Sequence, residues 1–182
     1  MMTLYHTADI SLRVEELGME ISKHYAQSDK PLCIIAILKG SFMFLADLVR
    51  CLSDKKEYEI EFISASSYGN EEKSSGNVNI LYLDPQVSVK DKDVLLVDDI
   101  LDSGRTLLTI KNHLLTCEPA SIQTVVFLDK PKRREVDFQA DFVGFKIPDY
   151  FVFGYGMDKE GKERNLPIIK VKVREQCVKN RT

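Results

Sequence analysis

The chain has 182 residues, 44% of them hydrophobic and 29% charged, with a formal net charge of −3, which suits one domain with a sizeable core and is short for two. That balance gives no basic field to attract nucleic acid, and no apolar run approaches the ~20 residues needed to span a bilayer. The opening residues carry no apolar stretch behind a basic cluster, and the four cysteines (Cys33, Cys51, Cys117, Cys177) form no C-x-x-C pair. We therefore expect a cytoplasmic protein with free thiols rather than a secreted disulfide framework or a zinc site. The isolated His6, His24 and His113 complete no metal motif.

In chain order, helical and strand patterns alternate. Residues 9–26 place Ile10, Val14, Leu17, Ile21 and Tyr25 at helical spacing, behind Asp9 as a cap. LCIIAIL (32–38) is a continuous apolar run, as expected of a strand buried on both faces. Residues 41–52 return to helical spacing, 58–68 alternate as a half-exposed strand does, and 77–83 read as another strand. A strand over 93–98, a helix over 104–116 and a strand over 121–128 follow, then shorter strand pieces at 141–145, 150–154 and 168–173. This order predicts one α/β domain (1–182): a twisted, mainly parallel sheet flanked by helices, with a core over about 30–165 and a small hood from the terminal segments.

The stretch VLLVDDILDSGRT (94–106) carries the chemistry. We expect a buried strand at 94–97, with Asp98 and Asp99 at its carboxyl end and residues 102–106 as the loop into a helix. Ligands bind outside the carboxyl ends of parallel strands. The N–H groups of Ser103, Gly104, Arg105 and Thr106 would then face an anion at a helix N-terminus, with Gly104 allowing a positive φ. Carboxylates do not grip phosphate, but they accept hydrogen bonds from sugar hydroxyls, help hold Mg²⁺ or take a proton. A phosphorylated sugar satisfies both halves of the segment. An acidic cap favoured by the helix dipole accounts for one Asp and poorly for three.

Other readings of apolar-Asp-Asp fit less well. A Walker B strand needs a G-x-x-x-x-G-K-[ST] loop, which the chain lacks. A phospho-receiver domain carries its acidic pair near the N-terminus, whereas 97 residues precede this one, and Asp129 adjoins Lys130 directly. GYGMDK (154–159) lacks the third glycine of a dinucleotide fingerprint.

VLLVDDILDSGRT closely resembles the phosphoribosyl-diphosphate motif of type I phosphoribosyltransferases. Four further pieces resemble the hypoxanthine (6-oxopurine) branch of that family: LKGS (38–41), SSYGN (66–70), DKP (129–131) and ADFVGFKIPDYFVFGYGMD (140–158), with Arg164 beyond. They stand in the family's order and spacing from about residue 5 onward. The departures are small: Ser41 where some members carry a second glycine, and Gly156-Met157 ahead of Asp158.

The resemblance implies the type I phosphoribosyltransferase fold and a set of roles. Asp98 and Asp99 would hold the ribose hydroxyls, and residues 102–106 (Asp102, Ser103, Gly104, Arg105, Thr106) the 5′-phosphate. Asp102 would also exchange a proton at N7 of the purine, a phosphate nearby favouring its protonated form. Lys39, Gly40, Ser41 and Arg164 would bind pyrophosphate, with a cis peptide between Leu38 and Lys39, and Ser41 could cap the helix after it. Lys130 would donate to the purine 6-oxygen and so disfavour adenine; the adjoining KRRE (132–135) reads as a solvated basic run. Phe151 would stack on the base, where core packing is the commoner fate of a strand aromatic, and the backbone at Val152 would read its edge. Ser67 and Tyr68 match a lid that excludes water. Asp158 would face the base and a Mg²⁺–pyrophosphate, making Asp98, Asp99 and Asp158 the candidate metal ligands.

The reaction so implied is transfer of a 5-phosphoribosyl group to N9 of hypoxanthine or guanine in purine salvage, by a Mg²⁺-dependent homo-oligomer (dimer or tetramer) with no nucleic-acid or membrane partner. The alternative is a regulatory protein on the same fold that senses phosphoribosyl diphosphate. Against it stand the retained Asp102, Lys130 and Tyr68, and the absence of a basic face or a segment spare for DNA.

Overall fold

The computed structural model describes residues 1–67, 78–83 and 87–172, with the backbone alone for residues 65–67 and 78–83. Its elements are β1 (Met2–Tyr5), α1 (Thr7–Tyr25), β2 (Leu32–Leu38), α2 (Phe42–Arg50), β3 (Tyr58–Ser67), β4 (Val78–Leu83), β5 (Asp93–Leu101), α3 (Arg105–Leu115), β6 (Ser121–Asp129), a 3-10 turn (Pro131–Arg133), β7 (Phe142–Lys146), β8 (Phe151–Phe153) and β9 (Ile169–Lys172).

The continuous apolar runs become the centre of a six-stranded sheet ordered β4-β3-β2-β5-β6-β7. Strands β3, β2, β5, β6 and β7 run parallel, and β4 closes one edge antiparallel to β3. Alternation decides which face each residue serves. Ile34, Ala36, Leu95, Val97, Val125 and Phe127 lie under α1 and α2, whereas Cys33, Ile35, Val94, Leu96 and Val126 lie under α3. Both faces of the central strands are therefore covered, which is why those sequences are apolar throughout.

Two adjacent strands, β2 and β5, send the chain in opposite directions: β2 continues through α2 to β3, and β5 through α3 to β6. Their carboxyl ends thus diverge around a crevice, the place where an open α/β sheet takes its ligand. A second, antiparallel sheet ordered β1-β9-β8 joins the two ends of the described chain.

Several details differ from expectation. Strand β1 is not foreshadowed by any alternation in MTLY, because its pairing with β9 is wholly non-local. Helix α1 starts at Thr7, so Asp9 is not the cap residue; it sits one turn in and accepts the His6 backbone N–H at 2.8 Å. Strand β5 runs on through both aspartates to Leu101, because β6 keeps pairing with it as far as Asp129. Ile60 and Phe62 on β3 are exposed, so the apolar side of that alternating strand is not the buried one.

Candidate active site

The predicted residues gather at the carboxyl ends of β2, β5 and β6. Asp98 is buried and Asp99 half-buried near the end of β5, and the Asp98 carboxylate accepts the Asp99 backbone N–H at 3.0 Å. Burial, and then the charge of Asp99, pushes the Asp98 carboxyl well above the ordinary carboxylate range. Burial also raises Asp99, against hydrogen bonds and the positive charge of Arg164.

After β5 the chain turns through Gly104, whose φ of +86° is left-handed, into α3. A side chain at 104 would also press on Val136 and Arg134, at 3.0 and 3.1 Å. Helix α3 is amphipathic and buries Leu107, Ile110 and Leu114, while Ser103, just before it, and Thr106, in its first turn, stay half-exposed. Arg105 instead points outward to Glu135, with its Nε 2.7 Å from Oε2.

Across the crevice, β2 ends in a cis peptide between Leu38 and Lys39. Lys39 is exposed, and Gly40 lies so near Asp99 that a Cβ would overlap the carboxylate. Ser41 occupies the cap position of α2 but makes no side-chain cap: its own dihedrals are already helical. Its fully buried hydroxyl donates instead to the Ile37 carbonyl at 2.6 Å. The capping expectation is thus corrected, and that hydroxyl faces the fold rather than the crevice.

Lys130 follows β6 directly and is buried, with its Nζ 3.7 Å from Asp102 Oδ2. Asp102 is half-exposed and also accepts Arg133 Nε at 2.9 Å. Of residues 132–135, Lys132, Arg133 and Glu135 are exposed, as a solvated run would be, but Arg133 reaches Asp102 and Arg134 is half-buried. Pro131 starts a 3-10 turn that folds back on the loop after β5. Arg134 ion-pairs with the buried Asp129 and donates to the carbonyls of Leu101 and Asp102. The signal available in the sequence was a proline, the favoured first residue of a helical turn, immediately after Lys130.

The small sheet supplies the remaining candidates. Phe151 on β8 is 47% exposed, which excludes core packing as its main role. It lines an open cavity of about 390 Å³ together with Asp158, Lys159, Glu160 and Lys172. Val152 is buried and stands opposite Val171 in the β8–β9 pair. Arg164 donates to the Gly156 carbonyl at 2.8 Å and pairs with Asp158 at 2.7 Å. A Cβ at Gly156 would overlap the Gly40 carbonyl, so this loop and the one after β2 touch. Asp158 also accepts the Gly161 N–H at 2.8 Å.

Among the described residues, no group of three or more His, Cys, Asp or Glu could hold one ion, so Asp98, Asp99 and Asp158 do not form a closed metal cage. Ser67 ends β3, and Tyr68 lies outside the described residues. A cavity of about 440 Å³ at the amino ends of β2 and β3 contains none of the predicted residues.

The family model for the phosphoribosyl transferase domain matches residues 3–160. The chain is 49% identical over 159 residues to a hypoxanthine-guanine phosphoribosyltransferase of Aquifex aeolicus, covering 87% of each. It is 44% identical over 162 residues to a hypoxanthine phosphoribosyltransferase of Salmonella typhimurium, covering 89% of each. Among solved structures it resembles a hypoxanthine-guanine phosphoribosyltransferase of Bacillus anthracis, with a TM-score of 0.87 and 43% identity over 95% of this chain and 99% of that one.

Proposed function

Because the chain belongs to the phosphoribosyl transferase domain family, we propose that it carries a 5-phosphoribosyl group from phosphoribosyl diphosphate to N9 of hypoxanthine, and of guanine, releasing pyrophosphate. The observation that carries the choice of base is Lys130 Nζ standing 3.7 Å from Asp102 Oδ2. A 6-oxopurine offers the acceptor O6 on this edge, whereas adenine offers an amino donor in its place; N7 beside it carries the proton in the tautomer whose N9 is free to react. A buried ammonium to donate to O6, beside a carboxylate to accept from N7, matches the first edge and not the second. The relatives' names, hypoxanthine and hypoxanthine-guanine phosphoribosyltransferase, support the same reading. No observation favours the regulatory alternative.

In this reading the ribose lies over the end of β5, with its hydroxyls donating to Asp98 and Asp99. Its 5′-phosphate sits on the N-terminus of α3, where backbone N–H groups and the helix dipole favour an anion. As the bond from C1 to the pyrophosphate oxygen breaks, positive charge grows on the ribose ring and negative charge on the leaving group. Lys39 and Arg164 face the latter. N9 forms the new bond, and the proton that the purine gives up passes to Asp102. Phe151 covers one face of the base, and Ser67 with Tyr68 would close the site against water, which would otherwise capture the ribosyl cation.

Magnesium is part of the proposal. The Asp98–Asp99 pair fits a cation, since burial raises both neighbouring carboxyls and a positive charge beside them would relieve that. An all-protein cage is not required, because Mg²⁺ is commonly held by one or two carboxylates together with substrate phosphates. Asp158 would face the same ion through the pyrophosphate. When bound, the ion would neutralise charge developing on the leaving group.

We place the protein in the cytoplasm, in purine salvage, as a homo-oligomer. Among the described residues no helix is long and apolar enough to cross a membrane. Incubating the protein with phosphoribosyl diphosphate, Mg²⁺ and hypoxanthine, and following absorbance, should show inosine monophosphate forming. No nucleotide from hypoxanthine, guanine or xanthine would overturn the reading.

A further inference from the structure

We propose that Arg134 is a positioning residue that sets the spacing of Asp102 and Lys130, and thereby the grip on the N7–O6 edge of the base. The inference rests on the reaction proposed above and goes beyond it, to a residue that does not touch substrate.

The β5–β6 ladder ends at the pair Leu101 and Asp129. Asp102 and Lys130 are each the next residue, just past the point where strand pairing could hold them apart at a fixed distance. One guanidinium takes over there. Arg134 donates through Nη2 to the Asp129 carboxylate, and through Nη1 to the Asp102 carbonyl and to the Leu101 carbonyl at 3.3 Å. The Leu101 carbonyl also accepts the Lys130 backbone N–H, at 3.0 Å. Arg134 thus bridges both strand ends, holds Asp102 directly, and shares with Lys130 the Leu101 carbonyl.

The bridge is mostly buried: the side chains of Arg134 and Asp129 keep 17% and 9% of their exposure. Its neighbour strengthens it, since Glu135 donates its N–H to the Ser103 carbonyl at 3.0 Å and accepts from Arg105 at 2.7 Å. Only a planar fork of donors reaches two carbonyls and a carboxylate at once. A lysine keeps the charge but not the fork. The phosphate-binding turn has its own supports in Glu135 and α3, so loss of the fork should disturb the base-reading pair more than the phosphate site.

The test compares wild type with Arg134→Lys and Arg134→Met, reading turnover, affinity for phosphoribosyl diphosphate by calorimetry without base, and melting temperature. Arg134→Lys is included because methionine leaves Asp129 buried and unpaired and so risks misfolding. We expect Arg134→Lys to melt with the wild type, to bind phosphoribosyl diphosphate as well, and to lose about 10- to 100-fold in kcat, the cost of a displaced reacting group. Unchanged kcat in Arg134→Lys overturns the inference. So does a loss of kcat that tracks losses of sugar-phosphate affinity and melting temperature, since that marks a merely structural residue. A wild-type protein that forms no nucleotide overturns the reaction itself and takes this inference with it, a result distinct from an active wild type beside equally active variants.

Discussion

Gly40 and Asp99 meet across the gap between the ends of β2 and β5, so closely that a Cβ on residue 40 would overlap the Asp99 carboxylate. The contact joins the two loops that leave the sheet in opposite directions, and with them the expected pyrophosphate and ribose subsites. Gly156 continues the chain of contacts, because its Cβ would overlap the Gly40 carbonyl. Three segments far apart in sequence are therefore packed backbone to side chain and backbone to backbone, with no room for a methyl group.

Gly40→Ala should consequently push the loop at 39–41 away from Asp99. We expect kcat/KM for phosphoribosyl diphosphate to fall by ~10²-fold, the effect of roughly an ångström of misplacement. Steady-state kinetics with hypoxanthine saturating would measure it, and an unchanged value would show that the loop accommodates the methyl group without cost.

The buried Asp98 makes a prediction about stability without ligand. Its carboxyl is raised above its ordinary value by burial and by Asp99, so the folded protein holds that proton more tightly than the unfolded chain does. The resulting stabilisation is fully present below the ordinary carboxyl pKa of about 3.9 and is lost as pH rises through the folded value. At neutral pH the charge is therefore a burden on the fold. Asp98→Asn should raise the melting temperature in EDTA, by about 2–4 °C for each kcal/mol relieved. The difference should shrink as pH falls toward about 4. Thermal unfolding across that pH range gives the answer; a gain that grows in acid would contradict it.

How much of this was legible in sequence follows from what was local. The run VLLVDDILDSGRT announced its strand, its acidic end and the Gly104 turn because each depends on residues within a few positions. Phe151 was legible only through motif register, and its exposure on β8 needed the fold. The inward turn of Ser41 depends on helical dihedrals that a serine after a strand does not reveal. The contacts of Arg133 and Arg134 were not legible because their partners, Asp102, Asp129 and Leu101, are brought to them by β5–β6 pairing and a 3-10 turn. Charge density in KRRE looks the same whether it faces water or a buried carboxylate. Strand β1 was invisible for the same kind of reason, since it exists by pairing with β9.

Lys130 should govern the choice of base. Replacing it by Met keeps much of the apolar stem and removes the donor to O6, a charge-assisted hydrogen bond contributing ~1.5–3 kcal/mol. We expect kcat/KM for hypoxanthine to fall by ~10- to 150-fold, with affinity for phosphoribosyl diphosphate retained. Competition between hypoxanthine and adenine would also become less one-sided, because the donor that meets the adenine amino group is gone. Equal loss for sugar-phosphate and base would instead place Lys130 outside the base subsite.

Asp102 carries the last and most direct prediction. In the structure its carboxylate has cations on two sides, Arg133 Nε at 2.9 Å and Lys130 Nζ at 3.7 Å. A purine entering the site with O6 toward Lys130 would bring N7 toward the same carboxylate, so binding and proton exchange compete with the Arg133 contact. Asp102→Asn keeps the size and much of the hydrogen bonding but cannot accept the proton. If Asp102 acts as the acid–base group, kcat should fall by ~10²–10⁴-fold, while affinity for phosphoribosyl diphosphate stays close to that of the wild type. Arg133→Ala is the control: it removes the competing cation, leaves the carboxylate, and should not reproduce the loss in kcat. Single-turnover kinetics on both variants separates the chemical step from product release. Near-normal turnover in Asp102→Asn would remove the proton-transfer role, leaving Asp102 only its place in the phosphate turn.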